Sequence, residues 1–169
     1  MALEQISNAA TKVWADKAAA TMVMEREFNA PLDLVWKAWT EPERIEQWWG
    51  PRDWTTKNTR MEFRPGGTWH YCMTGPGGEE SWGLATYREI VDKQRIVYED
   101  AFSDASGAKN PDMPVMVITT EFTERGGKTT VRSSTKFPSQ EALQSVLDMG
   151  VVEGASQTWD RLAEYVEGE

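Results

Sequence analysis

Between Thr21 and Phe28 the chain alternates, with Met22, Met24, Arg26 and Phe28 in one phase and Val23, Glu25 and Glu27 in the other. Period-two alternation marks a strand whose two faces meet different surroundings. Further β-like stretches follow at about 54–64, 67–74, 81–91, 94–101, 115–124 and 128–137. Their breaks carry turn chemistry: Arg64-Pro65-Gly66-Gly67, Gly75-Pro76-Gly77-Gly78, Asp92-Lys93 and Arg125-Gly126-Gly127. The close spacing predicts successive antiparallel hairpins. Residues 103–114, with Gly107, Asn110, Pro111 and Pro114, read as a flexible loop.

Helical periodicity appears in three places. A short helix opens at Pro31, with Leu34, Val35, Ala38 and Trp39 as its apolar stripe. Thr40-Glu41-Pro42-Glu43 has the form of a capping box opening a second helix, whose inner side carries Ile45, Trp48 and Trp49 and which Gly50-Pro51 stops. The chain closes with one long helix at about 139–167, capped by Ser139, its stripe running from Leu143 to Val166. Gly150 and Gly154 lie on one face of it, which predicts a close approach there. Residues 1–20 are Ala-rich, with Leu3, Ile6, Val13 and Trp14 loosely spaced. They read as a weak helix or mobile arm, an N-terminal extension to a single domain at 21–169.

The order is strand, two short helices, six strands and a long helix, which is an α+β chain with about seven antiparallel strands. One sheet cannot bury its inner face against two short helices, so the long helix must lie across it. A strongly curved sheet holding that helix leaves a space between the two unless large side chains fill it.

Composition bears on that space. The chain has nine tryptophans in 169 residues, most of them between Trp36 and Trp82. Each can bury roughly 150–250 Å², more than a small core needs nine times over. The residues expected to wall a cavity are Trp39, Trp48, Trp54, Trp69, Tyr71, Met73, Trp82, Tyr87, Phe102, Met116, Ile118, Met149 and Val152. Trp36, Trp49, Tyr98, Phe122 and Trp159 belong to the same wider set. Such walls suit a small hydrophobic or aromatic molecule. Strand alternation puts Trp69, Tyr71 and Met73 on the cavity side and His70 and Cys72 on the outer face.

Other chemistries find little support. The net charge of −9, with no run of basic residues, argues against nucleic acid. No apolar run is long enough to insert in a membrane. The start, Met-Ala-Leu-Glu-Gln-Ile, lacks the pattern of a secretory signal. Cys72 is the only cysteine, which excludes an internal disulfide and favours the cytoplasm. His70 and Cys72 are too few for a structural metal, and two positions apart on a strand they stand about 7 Å from each other, too far for a nucleophile pair. No cofactor motif is present. Acid–base chemistry needs a carboxylate turned into the apolar interior. Glu89 is the candidate, in phase with Gly83, Ala85 and Tyr87.

The run from Phe28-Asn29-Ala30-Pro31 to Trp39-Thr40-Glu41-Pro42 resembles the opening of the activator of heat-shock protein 90 ATPase-like family, within the START / Bet v 1-like superfamily. Further matches are Trp48-Trp49-Gly50-Pro51, Arg64 to Trp69, the Gly83 to Glu89-Ile90 stretch, Glu153-Gly154 and Trp159-Asp160-Arg161-Leu162. Together they cover about 22–167 in one consistent order. The resemblance implies a helix-grip fold and a cavity for hydrophobic or amphipathic molecules. The chaperone-activating member carries an additional domain that this chain is too short to hold, so the resemblance brings no chaperone role with it. Three functions fit. The first is binding of a small hydrophobic molecule. The second is a cyclase- or hydrolase-type enzyme working through an inward carboxylate. The third is a co-chaperone-like interaction module, with a homodimer among its possible assemblies.

Overall fold

A computed structural model describes residues 3–168. The chain runs β1 (Glu4–Asn8), β2 (Lys12–Asp16), β3 (Thr21–Phe28), α1 (Leu32–Thr40), α2 (Pro42–Ile45), β4 (Thr55–Met61) and β5 (Thr68–Thr74). It continues β6 (Glu80–Val91), β7 (Arg95–Ser103), β8 (Met116–Arg125), β9 (Lys128–Lys136), α3 (Gln140–Asp148) and α4 (Val151–Glu167). All nine strands form one curved antiparallel sheet in the order β1-β2-β3-β9-β8-β7-β6-β5-β4. Strands β4 to β9 are a simple meander of hairpins. β3 closes the set by pairing with β9, from Thr21 opposite Lys136 to Phe28 opposite Thr129.

The helix-grip architecture follows the expected layers, with three departures. Residues 3–20 are neither helix nor loose arm. From Glu4 to Asp16 they form a hairpin that extends the sheet through β2–β3 pairing, bringing the strand count to nine instead of seven. Val13 and Ala15 point to the buried side while Lys12 and Trp14 do not. That alternation is too short, and too diluted by alanine, to stand out in the sequence. Met1 and Ala2 of this extension lie outside the described residues.

The capping box does not form. Thr40 is the last residue of α1, and Glu41 precedes α2 with no side-chain cap, its carboxylate taken by Arg44 at 2.8 Å. Pro42 at the first position of a four-residue helix starts it by fixing φ instead.

The long C-terminal helix is two helices. Ser139 caps α3 as expected, accepting from the Ala142 N–H at 3.0 Å. The chain then breaks at Gly150, which holds φ +85° and caps α4. A Cβ there would meet nothing within 4 Å, so the position demands glycine for its backbone alone. Gly150→Ala is therefore expected to cost about 1–2 kcal/mol in urea unfolding, the penalty of a left-handed alanine. An unchanged midpoint would mean that the break lies elsewhere.

The core sits between the sheet and α1, α2 and α4. Phe28, Val35, Ala38, Ile45, Trp48, Val131, Leu162 and Val166 are almost fully withdrawn from water. Trp48 donates its indole N–H to the Ala38 carbonyl at 2.9 Å, and its ring packs edge-on to Trp39 and Trp49 at 4.8 and 5.5 Å. Arg161 of α4 fastens the segment after α2 by donating to the carbonyls of Gln47, Gly50, Pro51 and Trp54. The sheet bends at irregularities in β4 and β6, where one extra residue is inserted against the partner strand.

Candidate functional site

The sheet and α4 do not close on each other completely. Between them lies a cavity of about 470 Å³. Its sheet side is formed by Met22 and Met24 of β3, Tyr71 and Met73 of β5, Ser81 of β6, and Tyr98, Asp100 and Phe102 of β7, with Met116 and Ile118 of β8 and Ser133 and Thr135 of β9. Its helix side is formed by Val151, Gly154, Ala155, Thr158 and Trp159, with Val146 of α3 and Met149 just after it. Trp39, Trp49, Gly50 and Pro51 complete the wall. Met149 is 59% exposed while bordering the cavity, which places the rim at the α3–α4 junction. Pro51 stands across from Gly154, its Cγ 3.8 Å from where a Cβ would be. The close approach expected at Gly150 and Gly154 is therefore not made: both border the open space itself.

Seven of the residues expected from sequence line this cavity: Trp39, Tyr71, Met73, Phe102, Met116, Ile118 and Met149. Trp49, Tyr98 and Trp159 of the wider set do so too. Six others are placed differently. Trp48 is core. Trp69 is buried with its indole N–H on Asn58 Oδ1 at 2.8 Å, away from the opening. Tyr87 is buried against Phe63, and Trp54 presents its carbonyl to Arg161. Val152 is half-buried against the core and does not line the cavity, whereas its neighbour Val151 does.

Trp82 lies opposite Cys72 and Ser103 in the ladder, in the outward phase. It stacks on His70 at 5.0 Å on the outer face and borders only a 40 Å³ crevice beside the main cavity. Gly83, one residue on, takes the inward position. A Cβ there would fall 2.2 Å from the Tyr71 ring, so the missing side chain makes room for that ring. His70 and Cys72 are on the outer face, as alternation predicts, yet both are buried. The chain after β7 folds over His70, whose Nε2 donates to the Asp104 carbonyl at 2.9 Å. That loop does not line the cavity.

Glu89 does not face inward. The extra residue in β6 is Arg88: Tyr87 pairs with Tyr98, and Glu89 then pairs with Val97. The insertion reverses the alternation, sends Ile90 to the inside and leaves Glu89 exposed, bonded to Arg95 at 2.6 Å.

The inward carboxylate is Asp100. It stands between Tyr98 and Phe102 on the same face of β7, at the period-two position that those two aromatic residues define. Its nearest donor is the Tyr71 hydroxyl, 3.3 Å from Oδ1 and 3.4 Å from Oδ2. The area that Asp100 leaves uncovered opens to the cavity, with protein packed densely around it. Desolvation pushes its pKa up to about 7, with the Tyr71 hydrogen bond only partly opposing the shift. Burial and the same carboxylate raise the Tyr71, Tyr87 and Tyr98 phenols, so all three remain neutral hydroxyls. The Trp39 indole N–H is buried without a partner, the only such side-chain atom among the described residues.

Among the described residues, no three His, Cys, Asp or Glu side chains gather closely enough to hold a metal. Among the same residues, no helix is long and apolar enough to cross a membrane.

Residues 29–167 match the family model described as activator of Hsp90 ATPase homolog 1-like protein. Among solved structures, protein Ms6760 from Mycobacterium smegmatis is 34% identical, with a TM-score of 0.83 over 89% of this chain and 93% of that one. A protein from Staphylococcus epidermidis is also 34% identical, with a TM-score of 0.79 over 88% and 90% of the two chains. A protein from Arthrobacter aurescens is 27% identical, with a TM-score of 0.89 over 95% and 94%. No curated protein matches. With its helix-grip fold and a family match across most of its length, the chain belongs to the activator of Hsp90 ATPase homolog 1-like family.

Proposed function

We propose that this protein binds a small, largely hydrophobic or aromatic molecule between α4 and the sheet. The observation that carries this reading is the cavity of about 470 Å³, within the roughly 300–1,000 Å³ typical of small-molecule sites. Its wall is mostly aromatic and methionine side chains, with few polar groups to orient a guest. Burial of the guest's apolar surface drives binding. The lone cysteine, Cys72, is buried and free, which suits a reducing compartment such as the cytoplasm.

Calorimetric titration with naphthylethanol, a neutral aromatic probe, tests the reading. The protein is expected to bind it at one saturable site. Gly154→Leu places a branched side chain in the lumen, at a position with ordinary backbone where a Cβ would meet only Pro51 Cγ, at an unstrained 3.8 Å. It also gains about 1 kcal/mol of helix propensity, so loss of binding is not loss of folding. Affinity is expected to fall at least about tenfold, since the guest must lose buried area worth about 25 cal/mol per Å². Equal affinity in the variant, or no binding by the wild type, overturns the proposal. Mass spectrometry of material copurifying with the native protein would identify the natural guest.

A further inference from the structure

Asp100 faces the lumen without a cationic partner. The residues packed around it are Tyr71 of β5, Ser81 and Gly83 of β6, Tyr98 and Phe102 on its own strand, and Met116 of β8. Not one of them carries a positive charge, and the helix side of the cavity supplies none. Its single hydrogen bond, from Tyr71, leaves most of the acceptor capacity of two oxygens unused. Aromatic side chains line the same place: Tyr71, Tyr98 and Phe102 border the cavity beside the carboxylate, and the Trp49 ring lies 5.9 Å from Tyr71. A lone carboxylate inside a box of aromatic rings matches one kind of guest. An ammonium group supplies the missing counter-charge and several N–H donors, and the ring faces attract it as well. A guest carboxylate would meet like charge in the same place, on a protein whose net charge is −9.

Resting on the cavity-binding reading above, we infer that the guest is an amphipathic amine, its apolar body against α4 and the sheet and its ammonium group on Asp100. Tyr71 is then a positioning residue. Its hydroxyl holds the carboxylate, and its ring occupies the room left by Gly83.

Binding carries a proton balance. Below neutral pH Asp100 is largely protonated. The amine arrives as the ammonium ion, so forming the ion pair expels the carboxyl proton to the buffer. The groups facing Asp100 that could otherwise exchange that proton are the Tyr71, Tyr87 and Tyr98 phenols, all held neutral.

The test compares three probes of one shape by calorimetry: naphthylethylamine, naphthylethanol and naphthylacetate. At about pH 8 the amine is expected to bind at least about tenfold more tightly than the alcohol, the size of one charge-assisted hydrogen bond, and the acid more weakly than both. Asp100→Asn is expected to cut the amine's affinity to the level of the alcohol's. The wild type gives a second readout that needs no variant. At about pH 6, titrations in buffers of different ionisation enthalpy are expected to report close to one proton released per amine bound and none per alcohol. Equal affinity of amine and alcohol, an amine advantage that survives Asp100→Asn, or amine binding without proton release each overturns the inference while leaving the cavity reading intact. If no probe binds, the cavity reading falls, and this inference falls with it.

Discussion

Asp100→Asn is expected to stabilise the protein at about pH 8 by up to about 4 kcal/mol, and to leave its stability near pH 4 almost unchanged. The sign follows from where the proton sits. The carboxyl has a pKa of about 7 in the folded chain and an ordinary value of 3.8 outside it. Below 3.8 both states carry the proton and the group is neutral towards stability. Between 3.8 and about 7 the unfolded chain releases its proton and the folded chain does not, so stability falls as pH rises. Above 7 the cost levels off. A shift of this size corresponds to about 1.4 kcal/mol per pH unit. Water in the cavity reduces it, so the figure is an upper one. Asparagine keeps the shape and still accepts from Tyr71, but has no charge to desolvate. The measurement is urea unfolding of both proteins from about pH 4 to 8, read as the difference between them, so that other carboxylates cancel. A difference that stays flat, or that favours wild type at high pH, means that Asp100 is solvated and that the site has no buried charge to offer. The same residue then explains why such a cost persists: a group that weakens the fold while empty is stabilised by an occupant that pairs with it.

Trp48→Ala is expected to cost about 3–5 kcal/mol, the usual loss for a fully buried large aromatic. Trp48 is 0% exposed and packs against Trp39 and Trp49, and its loss would also leave the Ala38 carbonyl without its donor. Against a total stability of about 5–15 kcal/mol, that brings the fold close to its limit. Met116→Ala, on the cavity wall, is expected to cost only about 1 kcal/mol, because part of that side chain already faces open space. Chemical denaturation of the two variants separates core from wall among residues that look alike in sequence. Equal losses would mean that the cavity is filled by side-chain movement and that Met116 is core as well.

The strands of the meander were legible because Gly, Pro or Asp turns separate most of them and β-forming residues fill them, and the observed limits differ from the expected ones by a few residues. Ser139 was legible as a cap because its hydroxyl acts on the next turn of its own chain. These are local effects, decided within a few residues. The hairpin at Glu4–Asp16 was not, since its stability comes from pairing with β3 rather than from its own composition. Asp100 was within reach: Tyr98 and Phe102 were both among the residues expected around the cavity, and the acid between them shares their phase.

By itself, then, the amino-acid order determined the strands and short helices between Thr21 and Phe137, that the chain is α+β with a helix-grip fold, and that more aromatic surface exists than a core requires. Tertiary structure alone decided which of those rings face the opening. One inserted residue at Arg88 reversed the alternation of β6 and exchanged Glu89 for Ile90 on the inner side. Curvature and the break at Gly150 set how far α4 stands from the sheet, and so which rings meet and which are left bordering space. The physical reason is range. Alternation and capping act between neighbours in the chain, whereas the shape of a cavity depends on how distant segments pack, and a single shift of register redirects every side chain beyond it.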